Sequence, residues 1–110
     1  MTLQEWKSLL LKAGPPVSHY QPKKQMGRYM VWTEYGGRRF FAGDREEAQI
    51  VRIQVDLYTK TEYDPAFRAL YDLLDAAEGV AFSHPLTDFE SDTGYIHHIF
   101  DCEVLLDGEI

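Results

Sequence analysis

The clearest pattern along the chain is the run Ile50–Thr59, IVRIQVDLYT. Val51, Ile53, Val55 and Leu57 fall on one side of an extended backbone. Arg52, Gln54, Asp56 and Tyr58 fall on the other. Alternation with period two, rich in β-branched residues, predicts a strand with one buried and one wet face. A helical pattern follows over 65–77. Asp64 is a good N-cap, Pro65 suits the first helical position, and Gly79 ends the helix. Phe67, Leu70, Leu74 and Ala77 form its apolar stripe, flanked by Tyr71 and Leu73. A half-buried strand and an amphipathic helix each need a partner surface, and the simplest partner is the other.

The chain opens with a second helix, expected over 2–13. Thr2 and Glu5 have capping-box spacing. Leu3, Trp6, Leu9, Leu10 and Ala13 share one face. Gly14 and Pro15-Pro16 end it. Residues 17–20 read as a short edge strand, and 23–27 as a polar loop. Residues 29–35, YMVWTEY, are strongly β-prone, and Gly36-Gly37 is expected to close that strand. A short strand over 38–42 and an acidic turn over 43–47 then lead into the long strand, starting at about Ala48. Residues 29–59 thus read as a three-stranded antiparallel meander. Past the second helix, 80–83 is extended, Pro85 breaks it, and 86–90 is a further strand candidate. Residues 91–94, SDTG, are a turn by composition. The last strand is expected over 95–106, with Ile96, His98, Phe100, Cys102 and Val104 facing the core.

The expected class is α+β. An antiparallel sheet, a meander plus a C-terminal hairpin, packs against two helices in the order α-β-β-β-α-β-β. The 110 residues are expected to form one domain, 1–110, with a frayed tail at about 107–110.

Composition narrows the function. Eleven basic against 18 acidic residues give a net charge of −7. Phosphate binding needs a basic patch, so a nucleic-acid surface is not the main feature. Local basic pairs stand at Lys23-Lys24 and Arg38-Arg39. The single cysteine, Cys102, allows no internal disulfide and suits a reducing compartment, or one where redox does not matter. The N-terminal stretch is not patterned as a signal peptide, and no run approaches membrane-spanning length.

No chemistry-bearing constellation is complete. Asp88, Glu90, Asp92 and Gly94 resemble half of a calcium loop, but the position for the bidentate glutamate is Ile99. They read as a solvated acidic hairpin. His97 and His98 are adjacent on a strand, so they point to opposite faces and cannot chelate together. His97 and Asp101 share a face but are only two groups, where a catalytic zinc takes three protein ligands. Cys102 and His98 share the core face, where cysteine is an apolar filler rather than a nucleophile. No phosphate-cradling or dinucleotide glycine motif is present. No catalytic residue, cofactor or metal is therefore expected, and the chain reads as a non-enzyme.

The fifteen aromatics (two Trp, seven Tyr, six Phe) are a high share and point to surface contacts. They concentrate with arginine in YGGRRFF, residues 35–41, types enriched at protein interfaces. Alternation lets only one of Phe40 and Phe41 face the core. The other is a candidate contact residue. Tyr35, Arg38, Arg39, Phe40, Phe41, Glu46 and Glu47 form the candidate assembly set.

In their order these features resemble the tail-completion (tail-terminator) and minor tail proteins of long-tailed phages and prophages. The pieces are the N-terminal helix with Leu9 and Leu10, VSHY at 17–20, YMVW at 29–32, QVDLYT at 54–59, the helix with Leu70, Leu73 and Leu74, and DTGYIH at 92–97. They span roughly Leu3 to Leu106. The family often has a proline where this chain has Arg28. The resemblance implies a non-enzymatic ring subunit, commonly hexameric. Such a ring caps the tail-tube protein and joins it to head-connector proteins. It implies a virion tail location after assembly in the host cytoplasm, no membrane partner, and DNA only as passing cargo. Rival readings are another head–tail connector or minor tail component, or a small ligand- or metal-binding enzyme domain using His97, His98 and the Asp88–Asp92 carboxylates.

Overall fold

The computed structural model describes residues 1–22, 27–43 and 45–107, and for residues 42 and 45–47 the backbone alone. The elements are α1 (Leu3–Leu11), β1 (Val17–His19), β2 (Tyr29–Ala42), β3 (Arg45–Thr59), α2 (Pro65–Ala76), β4 (Val80–Phe82), β5 (Leu86–Glu90) and β6 (Tyr95–Leu106). One six-stranded sheet runs β1-β2-β3-β6-β4, with β5 also paired to β6. β4 holds the 102–104 stretch of β6 and β5 the 95–99 stretch. The two short strands thus share one edge of β6, separated at Pro85.

The expected α+β class, with a sheet against two helices, is the class observed. Three details differ. The sheet is mixed, because β1 pairs parallel to β2. The order gains a strand, since 80–82 and 86–90 each pair with β6. Residues 29–59 are a two-stranded hairpin, not a meander: β2 runs unbroken past Gly36-Gly37, and β3 begins at Arg45 rather than Ala48. The paired glycines mark a bulge between Glu34 and Gly36 instead of a turn. A Cβ on Gly37 would lie 2.4 Å from the Ile50 carbonyl oxygen, so only glycine lets the strands approach there. The turn itself comes later, with Ala42 paired to Arg45 and Gly43 at φ +64°. Of the segments expected to be loops or frayed, 23–26, 44 and 108–110 lie outside the described residues, as does the basic pair Lys23-Lys24. Asp107 is described, and its carboxylate accepts from the Met1 amine at 2.6 Å.

Both helices cover the same face of the sheet. Trp6 and Leu10 of α1, and Leu70 and Leu74 of α2, pack with the inner row Val51, Ile53, Val55 and Leu57 of β3 and with Phe100, Cys102 and Val104 of β6. The helix starts are fixed as their residues dictate. The Glu5 amide donates to Thr2 Oγ1 and the Thr2 amide to Glu5 Oε1, each at 3.1 Å. Asp64 caps α2 by accepting from the Ala66 amide at 2.9 Å.

Asp64 also ties three segments together. Thr59 Oγ1, at the end of β3, donates to it at 2.6 Å, and Arg28, at the entry to β2, donates at 2.7 Å. Burial works to raise the Asp64 carboxyl. The donors Thr59 and Ala66, with the Arg28 guanidinium, outweigh it and hold the group below the usual carboxylate value.

Replacing Asp64 with Asn keeps a capping oxygen but removes the charge that Arg28 meets. A loss of about 1–2 kcal/mol in urea unfolding at pH 7 is expected. The folded-state value is depressed, so the charge contributes fully above the unfolded value of about 3.9 and is lost as pH falls through the lower folded value. The difference between wild type and Asp64→Asn should therefore shrink on acidification below about pH 4. A constant difference would place the effect elsewhere.

Candidate assembly arm

Of the candidate contact residues, Arg39, Phe40, Phe41, Glu46 and Glu47 lie on a projection, and Tyr35 and Arg38 lie at its base. Pairing of β3 with β6 stops at Gln49–Leu106, and pairing of β2 with β1 stops at Trp32. Beyond these points β2 and β3 have only each other among the described residues. The ribbon they form, 39–42 against 45–48, extends about 13 Å past the end of β6 at about 3.3 Å per residue. It lengthens the molecule to 51 × 25 × 21 Å. The radius of gyration, 14.8 Å, exceeds the roughly 13 Å of a compact domain of this length.

This placement corrects the expected division between Phe40 and Phe41. Both are exposed, at 42% and 54%, because among the described residues no core lies beneath either face of the ribbon. Arg38 lies 5.7 Å from the centre of the Phe40 ring, and Arg39 lies 5.0 Å from that of Phe41. Residues two apart share a strand face, so each face of the arm presents one arginine–aromatic pair. Glu46 stands opposite Phe41 in the register. Glu46 and Glu47 are on β3, with their side chains outside the description. Tyr35 sits apart from the tip, at the arm's base. Its hydroxyl bonds to Asp101 of β6, and Arg52 lies 5.5 Å from its ring centre. Asp101 and Arg52 are base-fixing residues that the sequence reading missed, since cross-strand partners have no local signature.

The groups considered for chemistry are dispersed. His97 and His98 do face opposite sides. His98 Nδ1 lies 2.8 Å from Thr87 Oγ1, and the ring packs against Phe67 on the helix side. His97 faces outward, with Nε2 2.8 Å from Asp56 Oδ1 and Nδ1 3.6 Å from Glu90 Oε2. Its partner is therefore Asp56, not Asp101. Tyr58 stacks on His97 at 4.2 Å and on Tyr29 at 4.7 Å, with Tyr95 edge-on to both tyrosines. The face of β3 expected to be wet is thus covered at this end, and Asp56 is buried. Burial, aided by the Asp56 charge, pushes the Tyr58 phenol up to about 12. Cys102 is fully buried, and its thiol is likewise pushed up to about 12. Among the described residues, no three His, Cys, Asp or Glu gather to hold a metal ion. Asp88 and Glu90 lie on β5, and Gly94 closes the turn by donating to the Glu90 carbonyl at 2.8 Å. Among the described residues, no helix is long and apolar enough to cross a membrane.

No protein-family model matches the chain. No curated protein matches it either. Among solved structures, it is similar to a chain in the virion of a native gene transfer agent (GTA) particle. The TM-score is 0.58 at 14% sequence identity, over 96% of this chain and 91% of that one. At that identity the likeness is one of fold, and it runs nearly end to end.

The base of the arm supplies a paired test. Gly37→Ala should cost about 1–3 kcal/mol through the clash with the Ile50 carbonyl and the backbone shift it forces. Gly36→Ala should be nearly neutral, since the nearest atom to its Cβ is Arg52 Cδ at 4.0 Å. Hydrogen exchange should show faster exchange of the 38–50 amides in Gly37→Ala alone. Equal behaviour of the two variants would mean that the arm tolerates slack at its base.

Proposed function

We propose that this protein is a structural subunit of a phage-type virion, and that its place there is the tail-completion (tail-terminator) ring at the head–tail junction. The observation that carries the virion reading is the fold shared, over nearly the whole of both chains, with a component of a gene transfer agent virion. The ordered resemblance along the sequence and the projecting arm favour the ring subunit within it. A two-stranded ribbon is marginal by itself in water and leaves both edges open to another chain. Burying Phe40 and Phe41 against a neighbour satisfies both needs.

In this reading the ring, six-fold or close to it, caps the tail-tube protein and meets head-connector proteins. It reaches the virion tail after assembly in the host cytoplasm. The net charge of −7 suits a passage that DNA slides through, because an acidic wall repels phosphate. A role as another connector or minor tail component is the neighbouring alternative. Catalysis is not proposed: Cys102, the one nucleophile weighed, is fully buried in the core.

Native mass spectrometry over a concentration series, with negative-stain microscopy, tests the proposal. Closed rings are expected, alone or on addition of tail tube. Phe41→Asp should abolish them while its urea unfolding stays within about 0.5 kcal/mol of wild type, as for an exposed position. A chain that closes no ring under either condition would not be a tail-completion subunit.

A further inference from the structure

β5 is held from one side only. Its ladder runs to β6, and among the described residues its other edge meets no strand. Leu86, Thr87, Asp88 and Phe89 are all exposed. An edge strand with so little packed on it depends on the side chains that tie it down. Adjacent histidines of β6 supply two such ties, one on each face. On the helix side, His98 Nδ1 lies 2.8 Å from Thr87 Oγ1. On the outer side, His97 stands between two carboxylates. Its Nε2 is 2.8 Å from Asp56 Oδ1 of β3, and its Nδ1 is 3.6 Å from Glu90 Oε2 of β5. Glu90 carries the tie onward into the turn. Its Oε1 accepts from Thr93 Oγ1 at 3.0 Å, and Thr93 Oγ1 accepts from the Tyr95 amide at 3.2 Å.

The two ties answer a proton differently. A hydroxyl can donate or accept, so Thr87 fits His98 in either charge state. A carboxylate can only accept, and a neutral imidazole has one N–H to give. The buried Asp56 claims that N–H on Nε2, which leaves the bare Nδ1 with its lone pair toward Glu90. A second proton makes Nδ1 a donor, and one ring then joins β3, β6 and β5. We propose that His97 is a proton-operated clamp, which fastens β5 and the 91–94 turn to the sheet in mild acid and slackens them above neutral pH. Histidine is the side chain whose charge changes between about pH 5 and 8. The groups around the ring favour a cation. Asp56 and the Tyr58 ring, stacked at 4.2 Å, face it from β3. Asp88 pairs with His97 in the ladder of β5, beside Glu90. Tyr29 of β2 and Tyr95 of β6 pack on Tyr58, and phenols titrate near 10, outside this range. Two cations stand nearby. Lys60 lies over the Tyr95 ring at 4.8 Å. His98 is held below its ordinary value by burial and then by the His97 charge.

His98 acts on the whole fold with the opposite sign. Its folded value is depressed, so the stability it contributes is complete above its unfolded value of about 6.5 and is lost as pH falls. A local measurement separates the two. Hydrogen exchange of the full-length chain is followed at about pH 5.5 and about pH 8. It is expressed as protection factors, which removes the intrinsic pH dependence of exchange. Protection of the 86–90 amides, relative to the 51–57 amides of β3, is expected to be about two- to five-fold higher at the lower pH, the range for a partly exposed ion pair. His97→Gln keeps a donor for Asp56 but takes up no proton, and should lose the response. Glu90→Gln removes the charge that His97 meets and should lose it as well, which decides the matter if His97→Gln does not fold. His98→Gln should keep the response. A wild-type ratio that does not move with pH would overturn the proposal. So would a response that persists in His97→Gln or Glu90→Gln, or one that vanishes in His98→Gln.

Discussion

The whole structure depends on the inner row of β3. Val51, Ile53, Val55 and Leu57 are all buried, three of them fully. They form the floor on which α1 and α2 both rest. β3 is also the strand with long ladders on each side, to β2 and to β6. A slip of one residue in either ladder would turn that row outward, because strand side chains alternate with period two. The helices, packed on this row through Trp6, Leu10, Leu70 and Leu74, therefore lock the register of the central strands. The arm inherits its direction from the same constraint, since it is the continuation of β2 and β3 past the end of β6.

Elements whose signals are local were legible in the sequence. The alternation of 50–59 is β3, the Thr2–Glu5 pair is a capping box, and Asp64-Pro65 starts α2. The core row of β6 was also read correctly over Phe100, Cys102 and Val104. What failed needed information from a distant strand. Gly36-Gly37 looks like a turn because two glycines usually interrupt a strand. Here Val51 pairs with Gly37 and carries the ladder through, and the missing side chain accommodates the Ile50 carbonyl. The parallel pairing of β1 was hidden for a similar reason. Three residues, 17–19, have no pattern that distinguishes the direction of a neighbour.

The outer face of the sheet makes the same point with polar groups. Asp56 and Tyr58 occupy the polar positions of an alternating strand, so they read as wet. In the fold, Tyr29 and Tyr95 arrive from either side and His97 bonds to Asp56, which converts part of a wet face into a second, smaller packed layer. The donors Gln54 and His97 satisfy the buried carboxylate, and this is the condition on which burying such a charge is tolerable. Arg28 belongs to the same class of device. It stands where the resembled family often has proline, and its bond to Asp64 fixes the entry of β2 through a charge instead of a stiff backbone.

The candidate site was legible in composition but not in form. YGGRRFF carries residue types common at interfaces, and of these only Arg39, Phe40 and Phe41 lie on the projecting ribbon. The forced choice between Phe40 and Phe41 rested on the assumption that every strand position has a core on one side. An arm has none, so alternation there sorts residues between two exposed faces. The cross-strand contacts at the base, Tyr35 with Asp101 and Arg52, tie the root of the ribbon to β6 and β3. A projection that carries two exposed rings is accounted for when the surface that covers them lies on another molecule.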